Sequence, residues 1–131
     1  MKTTPLRRTA FRPVVRLPKP RLKVRMRTLD PMLRALVLER SRGRCECCGD
    51  PLHGRVEVHH RKLRSQGGPD AAENLLVLRA SHHAHAHGQP TYSYDRGLLV
   101  HCADDPATAP LLLHGRRRVL LTTDGRYEEA S

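Results

Sequence analysis

Aromatic side chains are scarce in this sequence, which contains no tryptophan, one phenylalanine and three tyrosines among its 131 residues. So few rings argue against a platform on which the bases of single-stranded nucleic acid stack. They also predict a small hydrophobic core, and small domains often gain stability from a bound metal ion. The four aromatic residues are Phe11, Tyr92, Tyr94 and Tyr127.

Long apolar runs are also missing. No stretch approaches the ~20 residues that a membrane-spanning helix needs, and no segment has the apolar centre of a signal peptide. We therefore expect a soluble, intracellular protein that does not act in a membrane. Its compartment would be the cytoplasm.

Cysteines are few and unevenly placed. Cys45, Cys47 and Cys48 lie within four positions of one another, whereas Cys102 is far along the chain. This spacing disfavours two disulfides and indicates metal ligands or free thiols in a reducing compartment. We expect Cys47 and Cys102 to be structural.

Acidic residues are outnumbered, at 13 against 24 Lys and Arg, which gives a formal net charge of +11. Such a surplus predicts a polyanionic partner, and nucleic acid is favoured over an acidic membrane surface. Residues 1–29 carry ten Lys or Arg, four prolines and no acid. They are predicted to be a flexible basic arm that contacts DNA phosphates; the alternative is a tail that only keeps the protein soluble. The arm residues expected to contact DNA are Arg7, Arg8, Arg12 and Arg16.

Past the arm, turn signals and apolar periodicity predict short elements. A helix is expected to begin at Asp30-Pro31 and to end near Gly43. Residues 55–59 alternate as a strand does, and the apolar run 75–78 is the second strand of a hairpin with the polar loop 61–73 between them. Further along the chain, we expect a histidine-rich helix from an N-cap at Ser81 to Gly88, a helical segment over 92–96, and strands over 98–100 and 119–121.

Histidines form the pattern that carries chemistry. His83 and His87 lie one helical turn apart and can share one metal ion, and His59 on the neighbouring strand would add a third ligand. Three ligands leave open positions for water and substrate, as in catalytic sites. His60 points to the other face of the strand and is free to act as a base, with a backbone carbonyl or a carboxylate holding its other nitrogen. The five histidines outside this set are His53, His82, His85, His101 and His114.

Several motifs together resemble the HNH endonucleases, which are His-Me finger nucleases, of the phage and bacterial type. The resemblance is strong over residues 44–90 and weak over 97–125. The motifs are Cys45-x-x-Cys48, Val58-His59-His60-Arg61, Gly67-Gly68, Asn74-Leu75-Leu76-Val77-Leu78 and His82-His83-x-x-x-His87.

The resemblance implies an α+β fold built on a small ββα-metal finger. A helix would precede the finger and a short β segment would follow it. The domains would be the basic arm 1–29, the nuclease core 30–97, and a C-terminal β extension and tail over 98–131. The implied metal ligands are His59, His83 and His87, the implied general base is His60, and Asn74 is implied to brace the loop and help orient the base.

The implied reaction is hydrolysis of DNA phosphodiester bonds. His60 would deprotonate a water that attacks phosphorus, one divalent ion (Mg, Mn, Ni or Zn) would stabilise the developing charge, and the product would carry a 5′ phosphate. Arg61 and Arg64, together with the arm, would contact flanking phosphates. The implied setting is phage genome packaging, with a terminase or another packaging protein as partner, or a mobile element; restriction and toxin roles, nicking or double-strand cleavage, and the oligomeric state stay open.

One departure from the family pattern concerns a structural zinc, which many relatives bind through two CxxC pairs. Here the second pair falls on Arg79 and His82, and an arginine cannot be a ligand. Either Cys45, Cys48 and His82 bind zinc with a fourth group, such as Cys47 or a nearby histidine, or the cysteines are free thiols. A competing function is a non-catalytic zinc module that binds DNA, in which His60 has no task. A basic RNA scaffold ranks last because it does not explain the histidines.

Overall fold

The computed structural model describes residues 28–130. The predicted DNA contacts Arg7, Arg8, Arg12 and Arg16 lie outside the described residues. The fold is α+β, as predicted, with short helices and two small sheets. In chain order the elements are α1 (Pro31–Ser41), β1 (Val56–His60), β2 (Leu75–Arg79), α2 (Ala80–Gly88), α3 (Pro90–Asp95), β3 (Leu111–Leu113), β4 (Arg117–Leu121) and β5 (Tyr127–Glu129), with single 3₁₀ turns at Arg64–Gln66 and Ala72–Asn74.

Helix α1 begins where the sequence predicts. The Asp30 side chain accepts a hydrogen bond from the Met32 amide at 2.9 Å, and proline occupies the first turn. The helix ends at Ser41, followed by Arg42 in the left-handed conformation. Its buried Val37 packs against Leu75 and Val77 of β2, so one face of the central hairpin is covered by this helix.

The hairpin β1/β2 is antiparallel, with His59 opposite Leu76 and Val58 opposite Val77. Residues directly opposite in such a pair share a face. Leu76, and with it His59, therefore face away from α1 and towards α2 and the C-terminal part of the chain. This register decides which histidine of the pair can meet the histidines of α2.

Helix α2 begins at Ala80, so the prediction of an N-cap at Ser81 was wrong by two positions. The cap residue is Arg79, which makes no capping bond through its side chain. The Ala80 amide donates instead to the Arg55 carbonyl at 3.3 Å. The helix therefore begins directly after the end of β2. In residues 28–130, no helix is both long and apolar enough to span a membrane.

The C-terminal residues form a three-stranded antiparallel sheet in the order β3-β4-β5. The prediction of a strand at 119–121 is confirmed, but β3 and β5 were not predicted. Buried residues of this sheet, such as Leu111 and Val119, share one core cluster with Leu76 and with Ala86 of α2. The two segments 30–97 and 98–130 thus pack around common side chains, and the domain boundary between them stays a prediction.

The predicted strand at residues 98–100 was wrong. Its three side chains are buried, but the amides of Leu98 and Leu99 donate to the Ser93 carbonyl at the end of α3, at 2.8 and 3.2 Å. The Val100 amide donates to the Arg61 carbonyl at 2.9 Å. An apolar run can be buried without strand pairing when other carbonyls satisfy its amides.

Candidate metal centre and general base

Three histidines converge between the hairpin and α2. His59, His83 and His87 each offer one ring nitrogen, and the three nitrogens all lie within 4.8 Å of one another. The Nε2 atoms of His83 and His87 are 3.1 Å apart, as the i, i+4 spacing on a helix allows. The structure therefore brings together the three residues that the sequence identified as metal ligands.

His59 has one nitrogen occupied and one unpaired. A carbonyl can only accept, so His59 Nε2 is the donor in its 2.6 Å bond to the Leu98 carbonyl. Its Nδ1 is buried and has no hydrogen-bond partner within residues 28–130. Burial, with the nearby His83 and His87, lowers the pKa of His59 to about 4, so the ring is neutral at pH 7. A buried lone pair beside two other imidazoles fits a metal ion.

Glu57 orients the ring of His83, the second histidine of this group. It lies two residues before His59 on the same face of β1, and its carboxylate accepts a hydrogen bond from His83 Nδ1. This bond lowers the pKa of Glu57 below its ordinary value. With the His83 proton on Nδ1, the lone pair of that ring is on Nε2, which faces His87. A carboxylate behind a histidine is the usual support of a metal ligand. Glu57 was not predicted from the sequence, although its i, i+2 spacing from His59 could have signalled it.

His60 points to the opposite face of β1 and contacts Asp70. The Asp70 Oδ1 atom lies 2.8 Å from His60 Nε2 and 3.2 Å from Arg64 Nε. Arg64 Nε is also 3.2 Å from His60 Nε2. Since both of these nitrogens donate to the carboxylate, we assign the His60 proton to Nε2, which leaves the lone pair on Nδ1. The hydrogen bond from His60 is the main cause that lowers the pKa of Asp70.

Sequence reasoning expected a carboxylate or carbonyl behind His60 but did not name Asp70. Asn74 explains its position, because this buried side chain ties together the two ends of the loop 61–73. Its Oδ1 accepts from the Lys62 amide at 2.7 Å, and its Nδ2 donates to the carbonyls of Lys62 and Pro69, each at 3.0 Å. Gly68 is needed in the same turn, since a Cβ there would lie 1.8 Å from the Lys62 carbonyl oxygen. The turn that precedes Asp70 was the feature of the sequence that could have identified this carboxylate.

Arg61 is not placed as predicted. Its side chain is fully buried, and its hydrogen bonds within residues 28–130 all go to backbone carbonyls, so the prediction that it contacts DNA was wrong. Burial lowers the pKa of Arg61 to about 10, and the guanidinium is therefore still charged at neutral pH. Arg64, by contrast, is about one-third exposed beside Asp70, at the edge of the site.

A second cluster lies at the turn after α1. Cys45, Cys48 and His82 each offer one ligand atom within 4.8 Å of the others, and Cys45 Sγ is 3.2 Å from His82 Nδ1. Among residues 28–130, no fourth cysteine, histidine or acidic side chain joins this group. Arg79, which cannot be a ligand, lies 3.6 Å from Asp50 through its Nη1 atom.

Two comparisons with known proteins agree with this arrangement. Residues 45–89 match the family model of the HNH endonuclease. The type IV methyl-directed restriction enzyme EcoKMcrA of Escherichia coli (strain K12) is 37% identical over 65 residues, in an alignment that covers 44% of this chain and 24% of that protein. The chain thus aligns with about a quarter of the length of this curated relative. The matched region 45–89 contains both clusters described above.

Proposed function

We propose that this protein is a metal-dependent endonuclease that hydrolyses DNA phosphodiester bonds, and the proposal proceeds from the match of residues 45–89 to the HNH endonuclease family model. The observation that carries the proposal is that the candidate metal ligand and the candidate base lie on opposite faces of β1. His59 faces His83 and His87, whereas His60 faces Asp70. A metal site and a base on adjacent residues are what this hydrolysis requires.

The proposed ligand atoms are the ring nitrogens that carry lone pairs, which are Nδ1 of His59 and Nε2 of His83 and His87. Imidazoles suit Zn, Ni or Mn, while Mg prefers oxygen ligands, so the ion that binds most tightly and the ion that works in the cell can differ. When bound, the ion supplies positive charge that stabilises the negative charge developing on the scissile phosphate. Glu57 and the Leu98 carbonyl hold the ligand rings in place.

His60 is the proposed general base. Its Nδ1 takes a proton from a water molecule as the water oxygen attacks phosphorus, and the 3′ oxygen leaves, so that the product ends in a 5′ phosphate. Asp70 accepts the bond from Nε2 and stabilises the imidazolium that forms. Asn74 is a positioning residue, because it holds the loop that carries Asp70.

DNA is the proposed partner because of the net charge of +11. Arg64, which remains partly exposed beside the base, is placed to contact a flanking phosphate. The arm residues Arg7, Arg8, Arg12 and Arg16 would add contacts that carry no base specificity.

The biological role that we propose is phage genome packaging or restriction, both in the cytoplasm. The weak resemblance of residues 97–125 to phage versions supports the first role, with a terminase or another packaging protein as partner. The name of EcoKMcrA supports the second. A structural zinc on Cys45, Cys48 and His82 is also proposed, with water as fourth ligand.

Cleavage of plasmid DNA should depend on added metal. We expect protein stripped of metal to cut no DNA, and activity to return with at least one of Mg²⁺, Mn²⁺, Ni²⁺ and Zn²⁺. His83→Ala should abolish this activity, whereas His85→Ala, on the same helix but packed against Tyr92, should retain it. Gel analysis of supercoiled plasmid measures cleavage with each metal ion and by each variant. If wild-type protein binds DNA yet cuts it with none of these ions, the non-catalytic zinc module takes the place of the nuclease.

Removal of the Glu57 charge should weaken metal binding. We expect Glu57→Gln to bind Ni²⁺ about 10- to 100-fold more weakly, because loss of the partner behind a ligand histidine has this effect. Isothermal titration of metal-free protein measures the change. Glu39→Gln, which removes an exposed charge on α1, is the matched control and should leave the affinity unaltered. Equal affinities in all three proteins would show that Glu57 does not support the site.

A further inference from the structure

Arg61 is a buried charge whose side chain has no carboxylate among its hydrogen-bond partners in the described part of the chain, residues 28–130. Its guanidinium donates to five backbone carbonyls across the C-terminal half of the domain and the 3₁₀ turn before β2. Taking a charge out of water costs several kcal/mol, which many hydrogen bonds must offset. The acceptors are the carbonyls of Gly97 (2.8 Å), Glu73 (3.1 Å), Pro106 (3.1 Å), Ala109 (2.7 Å) and Pro110 (3.4 Å).

Four of these carbonyls belong to one segment, Gly97–Pro110, which lies outside the region that matches the family model. The backbone of Arg61 binds the same segment, since its carbonyl accepts from the Val100 amide at 2.9 Å. Within the segment the chain is tightly closed on itself, because a Cβ on Gly97 would lie 2.0 Å from the Pro110 carbonyl oxygen. Arg61 therefore fixes both ends of Gly97–Pro110 against the end of β1.

The segment Gly97–Pro110 contacts the proposed metal centre through the carbonyl oxygen of Leu98. The carbonyl of Leu98, next to the Gly97 carbonyl that Arg61 binds, accepts the proton of His59 Nε2. His59 and Arg61 are two positions apart, and they bind consecutive carbonyls of the same turn. Whatever shifts this turn also shifts the acceptor that keeps the His59 proton on Nε2.

We propose that Arg61 is a positioning residue of the metal centre, which fixes Gly97–Pro110 so that the Leu98 carbonyl holds the His59 proton on Nε2 and leaves Nδ1 for the ion. This inference rests on the proposed function. It makes the C-terminal segment part of the nuclease centre, although the segment contributes no side chain to it. It also gives the buried arginine next to the base a task other than DNA binding.

Metal affinity tests the proposal in the full-length chain. We expect Arg61→Gln to bind Ni²⁺ about 10- to 100-fold more weakly than wild type, the range found when outer partners of ligand histidines are lost. Arg61→Lys should be intermediate, because an ammonium keeps the charge but cannot span the five acceptors. Isothermal titration measures the affinity. The Ni²⁺ binding that wild-type protein shows and His83→Ala lacks is assigned to the three-histidine site. Val37→Ala, a core truncation on the α1 side, should lower the melting temperature without changing the affinity.

The proton position on His59 can be measured without any variant. In metal-free wild-type protein, ¹⁵N NMR should show a proton on His59 Nε2 and a bare Nδ1; a proton on Nδ1 would overturn the inference. If wild type binds Ni²⁺ and Arg61→Gln binds it with the same affinity, the inference is overturned as well. If wild type itself shows no Ni²⁺ binding that depends on His83, the proposed metal centre fails, and that result is distinct from a failure of Arg61 alone.

Discussion

His60→Ala is expected to cleave DNA about 10²- to 10⁴-fold more slowly than wild type, the range that a general base contributes. The alanine removes Nδ1, the atom proposed to take the proton from water, but leaves the proposed metal ligands His59, His83 and His87 in place. DNA affinity and metal affinity should therefore be preserved. Single-turnover cleavage of a labelled duplex measures the rate, and a binding assay with the same duplex measures the affinity.

Two further variants make this result specific. Asp70→Asn keeps His60 but removes the carboxylate that accepts from its Nε2, so its rate should fall between those of wild type and His60→Ala. His53→Ala removes an exposed histidine before β1 and should cleave at the wild-type rate. Wild-type cleavage by His60→Ala would assign the base to another group. Loss of metal binding in the same variant would instead make His60 part of the metal site.

Glu46→Leu is expected to lower the free energy of unfolding by about 3–5 kcal/mol, the cost of breaking a buried ion pair by removing one partner. Glu46 is fully buried, and its two carboxylate oxygens accept from Arg40 Nε at 2.8 Å and Arg40 Nη2 at 3.0 Å. They also accept from the Val77 amide and the Tyr127 hydroxyl, each at 2.6 Å. Burial and the Glu46 charge raise the pKa of Tyr127, which keeps that hydroxyl protonated as a donor.

Urea unfolding of metal-free protein measures this loss. The exposed pair of Arg117 and Glu129 is the control, and Glu129→Gln should change the stability by less than about 1 kcal/mol. The double variant Arg40→Met/Glu46→Leu should lose less than the sum of the two single losses, because no charge is then left buried without a partner. A loss of less than about 1 kcal/mol in Glu46→Leu would mean that the pair does not hold α1, β2 and β5 together.

Local spacing was enough to determine much of this protein. The Asp30 cap, the helical i, i+4 pair His83 and His87, and the opposite directions of His59 and His60 all follow from the geometry of a single helix or strand. The same local rules predicted α1 and the hairpin, whereas the α+β class was implied by the family resemblance. They failed at residues 98–100, where burial does not distinguish a strand from a turn that other carbonyls satisfy.

The groups that support the site were decided by tertiary structure alone. The Leu98 carbonyl meets His59 across 39 positions of sequence, and Arg61 reaches its acceptors across as many as 49. A backbone carbonyl leaves no mark in an amino-acid pattern, since every residue has one. Likewise, the charge of Arg61 beside the proposed base His60 suggested phosphate binding, and only packing shows that this charge points inward. Ligand types and their spacing are thus local properties of the sequence, whereas the hydrogen bonds that orient them depend on how distant segments pack.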